Sequence, residues 1–133
     1  MAQGNISQER SGKPNSPRVA KGIGKQNRLL RHADFEKVYK QGKRHFAASM
    51  TVFYLARGVS GGPRIGYTVS RVLGGAVDRN RMRRRLREAV RLCGLPSVPV
   101  DIVVNPKKTL LTVDFTDLQA QVDRAMQVVR KAM

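Results

Sequence analysis

The chain has 133 residues, of which 41% are hydrophobic, and this is enough for one domain with a buried core. Its 26 Lys and Arg residues against 9 acidic residues give a formal net charge of +17, which favours a polyanionic partner: nucleic acid or an anionic membrane surface. The single cysteine excludes an intramolecular disulfide and a cysteine-cluster zinc site, and no apolar run suits a membrane span or a secretory signal. We therefore expect a soluble, intracellular protein.

Residues 1–26 are rich in Ser, Gly, Gln, Asn, Lys and Arg and include two prolines. Such a segment cannot bury enough apolar area to offset the conformational entropy that it would lose on ordering. The sequence therefore predicts a disordered basic tail over these residues, followed by one domain over residues 27–133. A mitochondrial transit peptide is a second interpretation of the acid-poor tail, although the tail lacks an amphipathic stripe. Because residues 92–133 carry five basic against four acidic residues, the basic surface belongs to the first two thirds of the chain.

The first half of the domain predicts a helix and two strands. The helix is expected to begin at Asp34, which can cap it, and to end at Gly42. Strands are predicted at residues 49–57 and 64–70, on either side of the turn sequence GVSGGP. Their alternating apolar patterns predict a β-hairpin with one solvent-exposed face.

The second half predicts a helix, a strand and a final helix. An arginine-rich helix is expected to begin at Asp78 and to end at Gly94. Residues 98–104 form a mostly apolar run that suits a buried strand. The final helix begins near Thr116, where Gln119 would complete a capping box. The predicted order is helix, strand, strand, helix, strand, helix.

The arginine-rich helix is the most informative segment. Seven of the 15 residues from Asp78 to Leu92 are arginine, and Glu88, the one acid inside the helix, is spaced to pair only with Arg84. Solvated surface helices usually mix Lys, Glu and Arg, whereas this helix has arginine without lysine. The planar guanidinium group of arginine can bind phosphate through two hydrogen bonds at once. The composition therefore favours structured nucleic acid over a membrane as the partner. One apolar stripe is left to face the core: Met82, Leu86, Ala89, Val90 and Cys93.

Three aromatic residues leave two interpretations open. Phe35 and Tyr39 lie one turn apart on the first helix, and Phe53 lies on the strand face opposite Met50 and Val52. They are either core residues or a stacking platform for an unpaired strand, worth about 1–3 kcal/mol per stacked base. Basic residues flank this face: Lys43, Arg44, Arg57 and Arg64.

No pattern in the chain predicts a catalytic site. His32 and His45 have no metal partner at helical spacing, and the nine acidic residues are scattered. The glycine-rich stretches lack the Lys-Ser/Thr pair of a phosphate-binding loop. Asp114 and Asp117 are explained by their position at a helix N-terminus.

Three segments, in order, resemble the protein subunit of bacterial ribonuclease P. They are RIGYTVS, then GGAVDRNRMRRRLREAVR with the family's hallmark Arg-Asn-Arg start, then DIVV followed by the basic pair Lys107 and Lys108. The upstream segment LLRHADFEKVYKQGKR is similar to that family's first helix, so the resemblance covers roughly residues 25–130. The chain departs from the family pattern at Arg71, Val72, Gly75 and Asn105.

The resemblance implies a fold and a division of labour. The fold would be an α/β (α+β) two-layer sandwich with a mixed sheet, like the second domain of a small-subunit ribosomal protein. Its β-α-β crossover would be left-handed, where the general rule predicts a right-handed one. Catalysis would belong to Mg²⁺ held mainly by an RNA subunit, with no catalytic residue in the protein.

The resemblance also implies two RNA-binding surfaces in a bacterial cytoplasmic protein that needs no membrane and no obligate protein partner. Contacts with the catalytic RNA subunit are expected from Arg79, Asn80, Arg81, Arg83, Arg84, Arg85 and Arg87. Contacts with the 5′ leader of precursor tRNA are expected from Phe35, Tyr39, Lys43, Phe53, Arg64, Thr68, Ser70 and Arg71.

The expected function is to help a ribonucleoprotein endonuclease remove the tRNA 5′ leader. The alternative is a ribosomal or other structured-RNA-binding protein without a role in cleavage. A DNA-coating protein is disfavoured because it would have no use for the aromatic face. A self-contained nuclease is disfavoured because it would need a metal-binding carboxylate cluster.

Overall fold

The protein is described from a computed structural model. It describes residues 28, 31–58 and 62–132. The predicted disordered tail, residues 1–26, lies outside the described residues, as does the middle of the GVSGGP turn.

The described residues form three α-helices and four β-strands. In chain order these are α1 (His32–Gln41), β1 (Lys43–Phe46), β2 (Met50–Ala56), β3 (Arg64–Tyr67), α2 (Ala76–Cys93), β4 (Val100–Pro106) and α3 (Phe115–Ala132). Short 3-10 turns precede α2 and α3, at Arg71–Leu73 and Lys108–Leu111. The mixed α/β class is confirmed, and β1 is an additional strand that the sequence interpretation missed.

The four strands form one mixed sheet in the order β1-β2-β4-β3. Strand β2 is antiparallel to both β1 and β4, while β3 and β4 are parallel neighbours joined through α2. The predicted hairpin between β2 and β3 is therefore wrong, because β4 lies between them. Strand β4 is apolar on both faces, with Ile102, Val103 and Val104 all buried, and such a strand favours the centre of a sheet.

The hairpin that does form joins β1 to β2. Strand β1 has the sequence KRHF, whose charged residues give no strand signal, so its pairing depends on β2 rather than on its own propensity. The amide of Ala47 donates to the carbonyl of Met50 at 2.9 Å and closes the turn. Strand β1 is consequently one edge of the sheet.

Helices cover both faces of the sheet. The larger core lies between one face and the α2–α3 layer. It contains the predicted stripe of α2 except for half-buried Cys93, together with five residues of α3: Leu118, Val122, Ala125, Met126 and Val129. On the other face, Val38 of α1 packs against Val103, with Phe35, Tyr39 and Phe53 around them. Helix α1 thus adds a partial layer to the expected sandwich, and this places the aromatic residues on the face away from α2.

The predicted N-terminal caps are wrong at all three helices. Arg31 and Gly75 occupy the N-cap positions of α1 and α2, and neither cap makes a side-chain hydrogen bond, while Asp34 and Asp78 lie in the first turns. Gln119 forms no capping box, because its side-chain oxygen accepts no hydrogen bond from the described residues, and its side-chain nitrogen donates to the carbonyl of Ala89 on α2 at 2.9 Å. The carboxylates of Asp34 and Asp78 still stabilise the N-termini of α1 and α2 through the helix dipole.

The predicted glycine stops are confirmed. Gly94 follows α2 with φ of 83°, a conformation that favours glycine, and its amide donates to Val90 O at 2.7 Å. At Gly42 the reason is space: a Cβ there would lie 2.5 Å from Val38 O and 2.6 Å from Tyr54 O. Glycine therefore lets the end of α1 approach β2 closely.

Candidate nucleic-acid interface

Three arginines on the outer side of α2 face solvent, namely Arg81, Arg84 and Arg87, and we call them the arginine surface. Arg81 and Arg84 make no hydrogen bond or ion pair to any described residue, whereas Arg87 lies 6.0 Å from the ring centre of Tyr67. Exposed guanidinium groups without internal partners suit phosphate oxygens, which they can bind in pairs. This part of the predicted RNA-binding set is available for a ligand.

The carboxylate of Glu88 does not neutralise Arg84. It bonds instead to Arg91, with Nη2 to Oε2 at 2.5 Å, and this hydrogen bond holds the pKa of Glu88 below its ordinary value. The predicted pair between Arg84 and Glu88 is therefore wrong, since Arg91, three residues on, takes both carboxylate oxygens. Arg84 keeps its full charge for an external anion.

Other residues of the predicted RNA-binding set turn towards the protein. Arg85 is half-buried and donates to the carbonyls of Leu111 and Val113, just before α3. Arg79 donates from Nε to Gly74 O at 3.2 Å, so it holds the turn that precedes its own helix. Arg83 donates to the side-chain oxygen of Asn80 at 3.0 Å on the exposed surface.

A groove of about 730 Å³ runs between α2 and the start of α3. Arg81 and Arg84 line one wall, and residues 112–115 line the other. Arg85 also lines the groove and joins its two walls by donating to the carbonyls of Leu111 and Val113. The arginine surface thus borders a shallow depression that is wide open to solvent.

Three aromatic residues lie together on the opposite face of the sheet, namely Phe35, Tyr39 and Phe53, and we call this group the aromatic cleft. The rings of Tyr39 and Phe53 meet edge to face, with centroids 4.8 Å apart and planes at 87°. Phe35, Tyr39 and Phe53 are all half-buried, so each packs against the small core of α1 and still exposes part of its ring. The core interpretation is confirmed in part, because the rings pack against α1, and the stacking interpretation stays a prediction for their exposed portions.

A hydrogen-bonded row fixes the hydroxyl of Tyr39. It lies 2.8 Å from Thr68 Oγ1 and 3.0 Å from Asn105 Oδ1. Because the amide oxygen only accepts, Tyr39 donates to Asn105 and accepts from Thr68. Asn105, noted only as a departure from the family pattern, thereby joins the predicted leader-binding residues Tyr39 and Thr68 in one contact.

Strand β1 adds a cation to this cleft. Arg44 is directly opposite Phe53 in the antiparallel register, and its guanidinium carbon is 5.8 Å from the ring centre. Directly opposed residues share a sheet face, so Lys43, which is opposite Tyr54, lies on the other face with the α2–α3 layer. The register therefore places Arg44 at the aromatic cleft and directs the predicted contact Lys43 away from it.

Arg64 is engaged in a buried ion cluster. It donates to both oxygens of Asp101 at 2.8 Å, and Arg57 donates to the same carboxylate at 2.9 Å. The hydrogen bond to Asp101 is the main cause that raises the pKa of Arg64 above its ordinary value. Asp101 is only 4% exposed, and the signal that would have revealed it is a single acid inside the apolar run VPVDIVV.

The remaining predicted leader contacts lie between β3 and α2. Ser70 Oγ accepts from the amide of Val72 at 3.3 Å and caps the 3-10 turn. Arg71 is exposed beside it. These residues connect Thr68, which follows β3, with the helix that carries the arginine surface.

The described part of the chain contains neither a metal-ligand cluster nor a helix that could span a membrane. Within residues 31–58 and 62–132, no group of three His, Cys, Asp or Glu side chains is placed to hold a metal ion. Over the same residues, no helix is long and apolar enough to cross a membrane. His32 pairs with Glu36 at 3.3 Å on the surface of α1.

Comparison with known proteins agrees with these features. A family model described as Ribonuclease P matches residues 23–130. The ribonuclease P protein component of Maridesulfovibrio salexigens is 42% identical over 88 residues, which is 65% of this chain and 71% of that protein. The one from Acidothermus cellulolyticus is 40% identical over 103 residues, or 74% and 84% of the two chains.

Solved structures show the same fold. The RNase P protein from Thermotoga maritima superposes with a TM-score of 0.65 at 31% identity, covering 74% of this chain and 94% of that one. The RNase P protein of Staphylococcus aureus, at 24% identity, gives a TM-score of 0.69 over 80% and 97% of the two chains. With its Arg-Asn-Arg helix start and this fold, the chain belongs to the ribonuclease P family, as the protein component of an RNA-based endoribonuclease that processes tRNA.

Proposed function

We propose that the protein binds two RNA partners with two different surfaces. The arginine surface contacts the catalytic RNA subunit, and the aromatic cleft holds the single-stranded 5′ leader of precursor tRNA. The two surfaces belong to elements on opposite faces of the sheet, so both partners can be bound together. The proposal rests mainly on the half-exposed rings of Tyr39 and Phe53 beside the cation of Arg44.

Each surface suits its partner chemically. Phosphate oxygens of a folded RNA match guanidinium groups, and binding that neutralises them weakens with salt by a log–log slope of about −0.7 to −0.9 per contact. An unpaired leader offers base faces that stack on aromatic rings, whereas paired bases in mature tRNA do not. The protein would thus favour the precursor over the product.

Mg²⁺ is assigned to the RNA partner in this proposal. The described residues supply guanidinium, aromatic and amide groups at the two surfaces, and these do not suit a magnesium ion. The protein's part is to neutralise phosphates and to position the leader. We place this activity in the bacterial cytoplasm, where tRNA precursors are made.

The test is reconstitution with a bacterial ribonuclease P RNA and a precursor tRNA at low millimolar Mg²⁺. The wild-type protein should stimulate cleavage at the mature 5′ end and bind precursor more tightly than mature tRNA. Phe53→Ala should reduce the affinity for precursor alone by about 5- to 20-fold, since one stacked base is lost. Leu92→Ala is the matched control, because Leu92 is exposed on α2, away from the aromatic cleft.

Two outcomes would contradict the proposal. Equal loss of precursor and mature tRNA affinity in Phe53→Ala would show that the ring acts only in packing. Tight RNA binding without any stimulation of cleavage would instead favour a structured-RNA-binding protein with no role in cleavage.

A further inference from the structure

The most exposed aromatic side chain of the described residues lies at the edge of the sheet. Phe46, the last residue of β1, is 67% exposed, although burying such a ring is normally favourable. It stands directly opposite Thr51, on the sheet face that also carries Arg44 and Phe53. Its ring therefore lies next to the aromatic cleft and outside the packing of α1.

The spacing of this row is regular. Arg44 and Phe46 are two residues apart on β1, so their side chains leave the sheet on the same side. Phe46 and Phe53 are diagonal neighbours across the β1–β2 pair, a separation of about 7–8 Å between backbone positions. The two rings are thus close enough to serve neighbouring nucleotides of one strand.

Two cations lie close to Phe46 along the β1–β2 hairpin. Arg44 precedes it on the same strand, with its guanidinium 5.8 Å from the ring centre of Phe53. Lys107, just after β4, donates from Nζ to the carbonyl of Ala47 at 2.9 Å, which holds an ammonium group one residue beyond Phe46. An exposed aromatic ring with cations nearby matches a nucleotide, which presents a base face and a phosphate together.

We propose that Phe46, Arg44 and Lys107 form a further nucleotide subsite, which binds one unpaired base and its phosphate and extends the leader track to the β1 edge. This subsite rests on the proposed function, because its ligand is the same single-stranded leader. It lengthens the contact from the cleft of Tyr39 and Phe53 across the hairpin. Leader affinity should consequently keep rising with length after the cleft itself is filled.

The experiment uses the reconstituted holoenzyme and precursor tRNAs whose leaders lengthen one nucleotide at a time. Wild-type affinity should rise in two steps, and Phe46→Ala should remove only the step that belongs to longer leaders, by about 5- to 20-fold. Phe46→Trp should restore that step, because tryptophan also stacks, whereas Phe46→Leu should not. Leu92→Ala again serves as the control for loss of an exposed apolar side chain.

The outcomes separate the subsite from the proposed function. If Phe53→Ala lowers precursor affinity while Phe46→Ala matches the wild type at every leader length, the subsite is absent and the cleft remains. If the wild type does not distinguish precursor from mature tRNA, the proposed function itself fails. If Phe46→Ala changes the sedimentation of the free protein and not its leader affinity, the ring is a contact between copies of the chain, and the subsite is again overturned.

Discussion

Arg64 holds Asp101 through two parallel hydrogen bonds of 2.8 Å, across the parallel pair of β3 and β4. Arg57, which follows β2, donates to the same carboxylate, so one acid on the central strand joins both of its neighbours. Arg64 also lies 3.7 Å from Asp34, and this links the start of α1 to the same cluster. The cluster fixes the end of the sheet over which α1 lies.

Asp101→Asn should destabilise the protein by about 2–4 kcal/mol, because two largely buried guanidinium groups would lose their counter-charge. Urea denaturation followed by circular dichroism measures the change. Asp114→Asn, an exposed acid before α3, is the control and should stay within about 0.5 kcal/mol of the wild type. Equal stability of both variants would show that water replaces the carboxylate without cost.

Arg85 and Arg81 should separate stability from RNA binding. Arg85→Ala should lower the free energy of unfolding by about 1–3 kcal/mol, because the carbonyls of Leu111 and Val113 lose their donor. Arg81→Ala should leave stability nearly unchanged but make the salt dependence of RNA binding shallower by about 0.7–0.9. Binding titrations over a salt series, with urea denaturation of each variant, provide both readouts. The reverse pattern would mean that Arg85 leaves its carbonyls to reach the RNA.

Tyr39→Phe should weaken the anchorage of α1 while keeping its ring. Loss of the hydroxyl removes the bonds to Thr68 and Asn105, for about 1 kcal/mol of stability. Amide hydrogen exchange should speed up in α1, and affinity for the leader should fall less than in Phe53→Ala, because both stacking rings remain. Unchanged exchange in α1 would show that packing of Val38 against Val103 holds the helix alone.

The thiol of Cys93 should react slowly with iodoacetamide in the folded protein. Burial, then the hydrogen bond to Asp123, raises its pKa to about 12, so little thiolate exists at neutral pH. Because the folded pKa lies above the unfolded one, this group's contribution to stability is complete below about pH 8.5 and is lost as pH rises towards 12. Asp123→Asn should lower the thiol pKa and speed alkylation, and a pH series of alkylation rates tests this. Rapid reaction at pH 7 in the wild type would contradict it.

Local periodicity was enough to predict the helices and their buried faces. The stripe of α2 from Met82 to Val90 is buried as expected, because a helix in contact with a core repeats every 3.6 residues whatever its neighbours are. The order of the strands in the sheet could not be predicted from local periodicity. Which strand lies beside β2 depends on competition between β3 and β4, and only the mostly apolar run of residues 98–104 indicated that β4 would be central.

The sequence predicted which types of residue form the candidate site, but the structure decides which of these side chains face solvent. A basic sequence identifies arginines, but whether each faces solvent depends on partners distant in sequence, such as Val113 for Arg85 and Asp101 for Arg64. In the same way Lys43 and Arg44 are indistinguishable in sequence, and only the register with β2 places Arg44 beside Phe53. Hydrogen-bond partners and sheet faces are tertiary properties, which composition does not contain.

The central position of β4 has a consequence for synthesis on the ribosome. Among the strands of the described residues, only the β1–β2 hairpin pairs segments close in sequence. Strand β3 gains its partner when residues 100–106 have emerged. Before residues 100–106 emerge, the arginine-rich helix α2 has left the ribosome and lacks the complete sheet on which it packs. Long-range pairing of this kind slows folding. The nascent chain therefore offers its most basic segment to surrounding RNA before its hydrophobic core can close.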